Sequence, residues 1–466
     1  MFSEPDPAYI YLVLIVSGIT LLLAVLALPA NRNWTWFWSV FSIPWAAEAF
    51  KLGEVGITLT LPTDLIAGVI GLAGLVYLSF RLDKIALLWQ SRIFRWSVFL
   101  FLWMGIVAVL FSENKLVSIK FWLSQGAYWV TFGLGASLWV SEQRMQEPLW
   151  FYRWAVLPAA FIVLAICVGR HLALGGVKEA IDKVLSPFMR EHTVYGAYAA
   201  WFFIASFLLL LYKPSILGGA ILIVSGSALL LSYSRGAWLS GIGALGLYGL
   251  IYLYRWLPPI VRLIGVGALS VSTLFAMLLF FDYNPNMLEL YAYQSGGEVG
   301  KHLASSFDLR RNVSNLERIN RWFAALQMIE ERPWVGFGPN TFMEEYSAYQ
   351  RSFTRTIISV ELGEVGGAHS EYLTAASEMG IPGLLLLLGV YLSTLFVGLR
   401  GFIYAPTLER RFTYALLLFP LLSYYLHGII NNFMDHGHMA ALVYLHWGIL
   451  TKLDQKISNT SDATSS

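Results

Sequence analysis

Apolar runs of roughly 20 residues recur along most of this chain, and they leave it few folds to choose from. A bilayer core offers no water to unpaired backbone groups, so a spanning segment must be a helix or part of a closed barrel. The runs are continuously apolar rather than alternating, which selects helices. The residues are 57% hydrophobic and 13% charged, whereas soluble domains carry about 25% charged residues. An all-α polytopic membrane protein is therefore expected. Its 18 Trp and 24 Tyr supply interfacial anchors. The one cysteine, Cys167, excludes an intrachain disulfide and any multi-cysteine metal site.

Spans are expected at 9–28, 34–50, 64–80, 96–111, 119–140, 150–169, 195–212, 215–232, 236–254, 260–281, 381–403, 412–430 and 434–452, giving about 12 to 13 helices. The 34–50 run is the weakest, being short and holding Pro44 and Glu48. Residues 1–8 carry Glu4 and Asp6 and lack a basic n-region, so 9–28 reads as a retained first helix. Lys and Arg gather at 81–95, at 255–262, at 400–411 and after the last span, at Lys452 and Lys456. Counting spans puts all four groups on one side, taken as cytoplasmic. The N-terminus, the Arg170–Glu191 loop and the 282–380 stretch then fall outside. If 34–50 is not a span, only the N-terminus changes sides. The expected organisation is transmembrane helices 1–10 over 1–281, a large external loop with amphipathic helices over 282–380, helices 11–13 over 381–453 and a disordered cytoplasmic tail over 454–466.

The 282–380 stretch is the one long interruption, and a chain needs no such insert merely to sit in a bilayer. Within it, Leu316, Ile319, Trp322, Phe323, Leu326 and Ile329 recur at helical spacing, which predicts an amphipathic helix over 313–330. Arg318 and Arg321 share a neighbouring face of that helix. Pro333 and the Gly336-Phe337-Gly338-Pro339-Asn340 turn stop it. A second helix is expected from near His369 towards Met379, with Gly380 and Pro382 marking a break before the next span.

The residues able to carry chemistry collect at the external ends of spans. Arg235 stands at the junction of two spans, and a charged side chain there is costly enough to be a functional candidate. The competing reading is an arginine snorkelling to lipid phosphate. Arg190 and His192 precede the 195–212 span. Two arginines converging from two helix ends suit a diphosphate, because guanidinium groups bind phosphate oxygens bidentately and stay charged. Arg190 alone reads equally as a loop arginine in solvent, and Arg318 and Arg321 as a solvated helical pair. His369 can exchange a proton at neutral pH, with Glu371 and Glu378 nearby in sequence, or it is a structural histidine. His427, His436 and His438 lie close to Asn431, Asn432 and Asp435, but the spacing matches no strong metal motif and no metal is expected. Phosphate-binding loops, a dinucleotide fingerprint and a serine nucleophile elbow are absent from the sequence, and nothing supports nucleic-acid binding.

In chain order the motifs are Tyr233-Ser234-Arg235-Gly236-Ala237-Trp238, Arg318-Ile319-Asn320-Arg321-Trp322, Pro333-Trp334-Val335-Gly336-Phe337-Gly338, and His369-Ser370-Glu371-Tyr372-Leu373 followed by Glu378-Met379-Gly380-Ile381-Pro382-Gly383. This set resembles the O-antigen ligase and O-antigen polymerase superfamily of bacteria. The resemblance covers about residues 185–390; the residue after the histidine, often Asn in that family, is Ser370 here. It implies a GT-C-like glycosyltransferase of the bacterial inner membrane, with its active site facing the periplasm. Such an enzyme moves a glycan from undecaprenyl diphosphate to an acceptor hydroxyl on a glycan, lipid A-core or protein, without metal, nucleotide sugar or other cofactor. Arg190, Arg235 and Arg318 would bind the diphosphate. His369 would activate the acceptor or stabilise the leaving group, with Arg321, Tyr233, Glu371, Tyr372 and Glu378 in support. A polymerase or a protein O-oligosaccharyltransferase would use the same residues. A transporter of a small anion is the reading from another class, but it calls for ionisable residues at the bilayer midplane, where these spans hold few.

Overall fold

The computed structural model describes residues 7–27, 32–52, 57–139, 147–189, 191–254, 313–350 and 367–465. The apolar runs among them fold as helices. The first half contains α1 (Pro7–Ala27), α2 (Arg32–Ser42), α3 (Thr63–Ser79), α4 (Leu82–Leu88), α5 (Arg92–Ile106), α6 (Lys115–Tyr128), α7 (Gly135–Trp139), α8 (Glu147–Phe151) and α9 (Leu157–Ala173). These are followed by α10 (Ile181–Leu185), α11 (His192–Tyr212), α12 (Ile216–Leu231) and α13 (Arg235–Tyr254). The C-terminal part contains α14 (Val313–Glu331), α15 (Phe342–Glu345), α16 (Glu371–Tyr404), α17 (Leu408–His427) and α18 (Gly437–Ser465). Six helices among the described residues are long and apolar enough to cross a membrane: Ala8–Ala27, Arg92–Phe111, Pro148–Ala173, His192–Tyr212, Arg235–Leu253 and Glu371–Tyr404. α3 and α4 are long and apolar enough only when taken together, across a bend of 100°. The expected span at 260–281 lies outside the described residues.

Two expectations are corrected. The 34–50 run is not one helix: α2 stops at Ser42, a 3-10 turn covers Ile43–Trp45, and the chain enters an antiparallel hairpin of β1 (Ala47–Leu52) and β2 (Ile57–Leu61). Pro44 explains the stop, since it has no N–H for the helical ladder and disfavours helical backbone before it. The tail expected to be disordered instead continues α18 to Ser465. It contains no Gly or Pro to end a helix that α18 has already nucleated.

Burial separates the lipid-facing helices from the central one. α1 exposes Tyr11, Ile15, Ile19, Leu22 and Leu26, spaced as one helical stripe that suits acyl chains rather than water. α11 is the most buried of the six candidate spans and presents Tyr195, Tyr198, Trp201 and Phe202 to the interior. A second, smaller core of Ala324, Ala325, Met328, Phe337, Phe342, Tyr346 and Ala368 lies under α14. The described part of the insert therefore has its own apolar packing.

That part is also locked to the spans. Gly336 (φ 63) and Gly380 (φ 70) face each other so closely that a Cβ on Gly336 would lie 2.4 Å from the Glu378 carbonyl carbon. Phe337 N and Gly338 N donate to Ser377 O (3.0 Å) and Glu378 O (2.9 Å), and Ile381 N donates to Pro333 O (2.7 Å). On the other side, Glu113 N donates to Phe337 O (2.9 Å), Ser118 Oγ donates to Pro339 O (2.8 Å), and Arg332 pairs with Glu113. The expected break between Met379 and the following span is this interlocked turn.

Candidate functional site

The site is built on the turn between α17 and α18. Glu371 heads α16, and its N–H donates to Gly428 O (2.8 Å) and Asn431 O (3.1 Å). Its buried carboxylate accepts from Tyr424 Oη (2.7 Å), Phe433 N (2.6 Å) and Met434 N (3.1 Å). A carboxylate that gathers three donors from a chain segment more than fifty residues away holds that segment in place. Tyr372 helps by donating its hydroxyl to Tyr425 O (3.0 Å).

The start of α13 and the Arg318 side chain both reach this turn. Gly236 is pressed against it, since a Cβ there would lie 2.5 Å from His427 Nε2 and 2.7 Å from Ile430 Cδ1. Arg318 comes from α14 and donates from Nε to Ile430 O (3.3 Å). Burial, and then the charge of Arg235, push the Arg318 guanidinium down to about 10, with Glu191 opposing. Arg318 therefore remains cationic at neutral pH, and the two arginines feel each other across the site. Tyr233, in the left-handed region (φ 50), turns the chain into α13 and donates its hydroxyl to Gly176 O (2.7 Å), which ties the 171–177 loop to this corner. Arg190 lies outside the described residues; its neighbour His192 begins α11 and faces the His427 ring together with Arg318.

His369 sits just before α16 with φ 51. Its backbone is held there by Trp322 Nε1 donating to His369 O (3.2 Å), by Ala368 N donating to Thr374 Oγ1 (3.2 Å), and by Ser370 capping α16 through Leu373 N (3.4 Å). Ser370 thus serves as an N-cap, for which Ser and Asn are nearly equivalent. The His369 ring is held well below the ordinary imidazole value, first by burial and then by the charges of Arg321 and Arg318. An Asn431 side-chain hydrogen bond partly offsets this. The imidazole is therefore neutral at pH 7, with a lone pair available to take a proton.

The remaining supporting candidates hold the site together. Arg321 is buried, donates from Nε to Glu317 Oε1 (3.0 Å) and from Nη1 to Gly367 O (3.0 Å), and stacks on Tyr346 at 4.8 Å. Glu378 accepts from Asn340 N (2.8 Å) and Phe342 N (3.1 Å), fastening the glycine turn. Among the described residues no three His, Cys, Asp or Glu side chains gather into a metal-sized group. Sequence reasoning missed the pairing of Asn431 with His427, whose side chains meet at 3.0 Å. The only signal was a cluster of polar residues at the end of an apolar helix.

A multi-pass helical membrane protein that brings Arg318 and the start of α13 to one turn, with a neutral histidine within reach of the Arg318 charge, defines a class of protein whose site suits an anionic group at helix ends. Residues 219–388 match the family model described as O-antigen ligase, in agreement with the resemblance read from the motifs. A match to that family is what a glycosyltransferase-type membrane enzyme, acting on a lipid-linked glycan and an acceptor, would give. It spans Arg235, Arg318 and His369, and stops short of Arg190 on one side and the 427–431 turn on the other. No curated protein matches the chain.

Proposed function

We propose that the protein transfers a glycan from undecaprenyl diphosphate to an acceptor hydroxyl at the periplasmic face of the bacterial inner membrane, as an O-antigen ligase does. The observation that carries this reading is Arg318, which donates to Ile430 O, feels the charge of Arg235 and itself acts on the His369 ring. In the proposed step the acceptor oxygen bonds to the anomeric carbon while the bond from that carbon to the phosphate oxygen breaks. The electron pair leaves with the lipid diphosphate, and the hydroxyl proton passes to the neutral His369 ring. Arg235 and Arg318, with Arg190, would stabilise the charge that grows on the leaving diphosphate. No step in this scheme calls for a metal or other cofactor. With 34–50 not a span, the same charge count puts the N-terminus in the cytoplasm and keeps 282–380 outside, as a wall of the site.

The test is reconstitution of the purified protein with a lipid-diphosphate-linked glycan and a panel of acceptors: lipid A-core, a second lipid-linked glycan and a protein. Product on lipid A-core supports the ligase; product only on a longer lipid-linked chain or only on protein replaces it with a polymerase or protein transferase. Solute uptake without any transfer would overturn the reading. In the same assay Arg318→Ala should reduce transfer by about 10²–10³-fold, the usual effect of losing one preorganised donor to a developing oxyanion. Arg318→Lys keeps the charge but loses the planar fork and should recover only part of the rate.

The pH profile is a second test. The neutral form of His369 persists well below pH 6.5, so transfer should hold its rate as pH falls through 6.5, with the acid limb lying lower. Arg318 loses its proton only near pH 10, so its contribution is intact across the neutral range. An acid limb at or above pH 6.5 would count against His369 as the base.

A further inference from the structure

We propose that the cavity between the far ends of α13, α16 and α17 binds one anionic phospholipid, with its phosphate on Arg411 and an acyl chain along the aromatic wall. The cavity lies on the opposite membrane face from the candidate site, and its ligand is independent of glycan transfer.

Three packed helices define the place. The candidate site is at the starts of α13 and α16 and the end of α17. The cavity takes the other ends: Tyr248 and Tyr252 near the end of α13, Phe402 near the end of α16, and Leu408, Arg411 and Phe412 at the start of α17. At 1.5 Å per residue, Arg235 and Tyr252 are about 25 Å apart along α13, close to the thickness of a hydrocarbon core. The cavity thus sits at the second membrane boundary, the one that the charge count assigns to the cytoplasm. Its volume is about 470 Å³, within the range usual for small-molecule sites.

One wall is aromatic and preformed. The Tyr248 ring packs on Tyr252 at 6.1 Å, on Phe402 at 5.6 Å and on Phe419 at 5.2 Å. Behind it α16 and α17 are pressed together, so that a Cβ on Gly401 would overlap the Tyr414 ring. The rim continues into Tyr252, Leu253, Tyr404 and Leu408, each more than half exposed. At a membrane boundary such a face meets acyl chains, and its aromatic rings sit at the headgroup level.

The other wall carries the charge. Arg411 Nε donates to Ala405 O (2.8 Å), which fixes the guanidinium beside the cavity. Among the described residues no carboxylate pairs with its two terminal nitrogens. A guanidinium held at its base in this way can meet phosphate oxygens bidentately. The 400–411 stretch holds Arg400, Arg410 and Arg411 against one acid, Glu409, so the local field favours an anion. A zwitterionic lipid offers the same chain and phosphate, but its cationic end group would sit among these arginines. Basic pockets between spanning helices on the cytoplasmic side suit anionic head groups for this reason.

The experiment follows thermal melting of the full-length protein in detergent, titrated with phosphatidylglycerol, phosphatidylcholine or inorganic phosphate. Phosphatidylglycerol should raise the melting temperature progressively, as a ligand of the folded state does, and the other two should leave it nearly unchanged. Arg411→Gln should move the phosphatidylglycerol titration to about tenfold higher lipid or more, the loss of one charge-assisted contact. Arg411→Lys keeps the point charge without the fork and should recover part of the affinity. Arg95→Gln is the matched control, since Arg95 also donates to a carbonyl six residues earlier, Trp89 O (3.0 Å), but does not line the cavity. It should titrate like the parent. Should Arg411→Gln not fold, Tyr252→Ala, which trims the exposed edge of the aromatic wall, should move the titration in the same direction. Equal stabilisation by phosphatidylcholine, or stabilisation by inorganic phosphate alone, overturns the lipid site. So does an Arg411→Gln or, in its place, a Tyr252→Ala protein that titrates like the parent, or an Arg95→Gln protein that loses as much as Arg411→Gln.

Discussion

His369→Asn is expected to give a folded, membrane-inserted protein whose glycan transfer falls by about 10²–10⁴-fold, the usual contribution of a positioned general base. Asparagine is the informative substitution because of the backbone. His369 sits at φ 51, a left-handed conformation that His and Asn adopt more readily than most residues. Asn keeps that preference and a polar side chain, yet has no nitrogen able to accept a proton at neutral pH. His369→Ala should lose the same activity and also some stability, about 1 kcal/mol, from placing a residue without a compensating polar side chain in the left-handed region. The pair of variants thus separates chemistry from fold: transfer falls in both, and the melting temperature falls only for Ala. Normal transfer by His369→Asn would remove His369 from the mechanism.

Gly380→Ala is expected to be among the most damaging single methyls in the described structure, costing on the order of 3–5 kcal/mol. Gly380 has φ 70 and ψ 178, a region essentially reserved for glycine. There is also no room, because the new Cβ would lie 2.4 Å from both the carbon and the oxygen of the Trp334 carbonyl. Both contacts are backbone, so no side chain can swing away, and relief requires undocking the 333–340 turn from the start of α16. The insert would then lose its register against His369, and transfer should fall along with the melting temperature. Gly246→Ala is the matched control. It lies within α13, a Cβ there meets nothing within 4 Å, and helical Gly→Ala favours folding by about 0.5–1 kcal/mol. Faster proteolysis within 313–350 in Gly380→Ala, and none in Gly246→Ala, would locate the damage. A Gly380→Ala protein that melts like the parent would show that the interlock is dispensable.

Much of this was readable in the chain before folding. α14 begins at Val313 and ends one residue past its expected limit, because its apolar spacing and the following Pro333 act locally. The break at Gly380 was also legible, since Gly and Pro within a few residues leave few backbone choices. The roles of the polar residues were harder to read. Glu371, Glu378 and Arg321 looked like candidates for chemistry, yet each is hydrogen-bonded to a distant segment that it holds in place. Nothing in the residues around Glu371 announces Tyr424 and Phe433, which are its partners only after α16 and α17 have packed. The 34–50 run failed for the opposite reason: a single Pro44 outweighed a favourable average over the segment.

By itself the sequence determined that this chain must form helices in a bilayer, where its polar motifs interrupt them, and which family model residues 219–388 match, because hydrophobicity, backbone breakers and motif order are properties of neighbouring residues. Only the tertiary structure decided that Gly236 and Arg318 meet on the 427–431 turn, and that Asn431 pairs with His427 there. Those partners are separated by up to about two hundred residues, and a charge or a tautomer is set by whatever lies within a few ångströms in space, which chain order does not record.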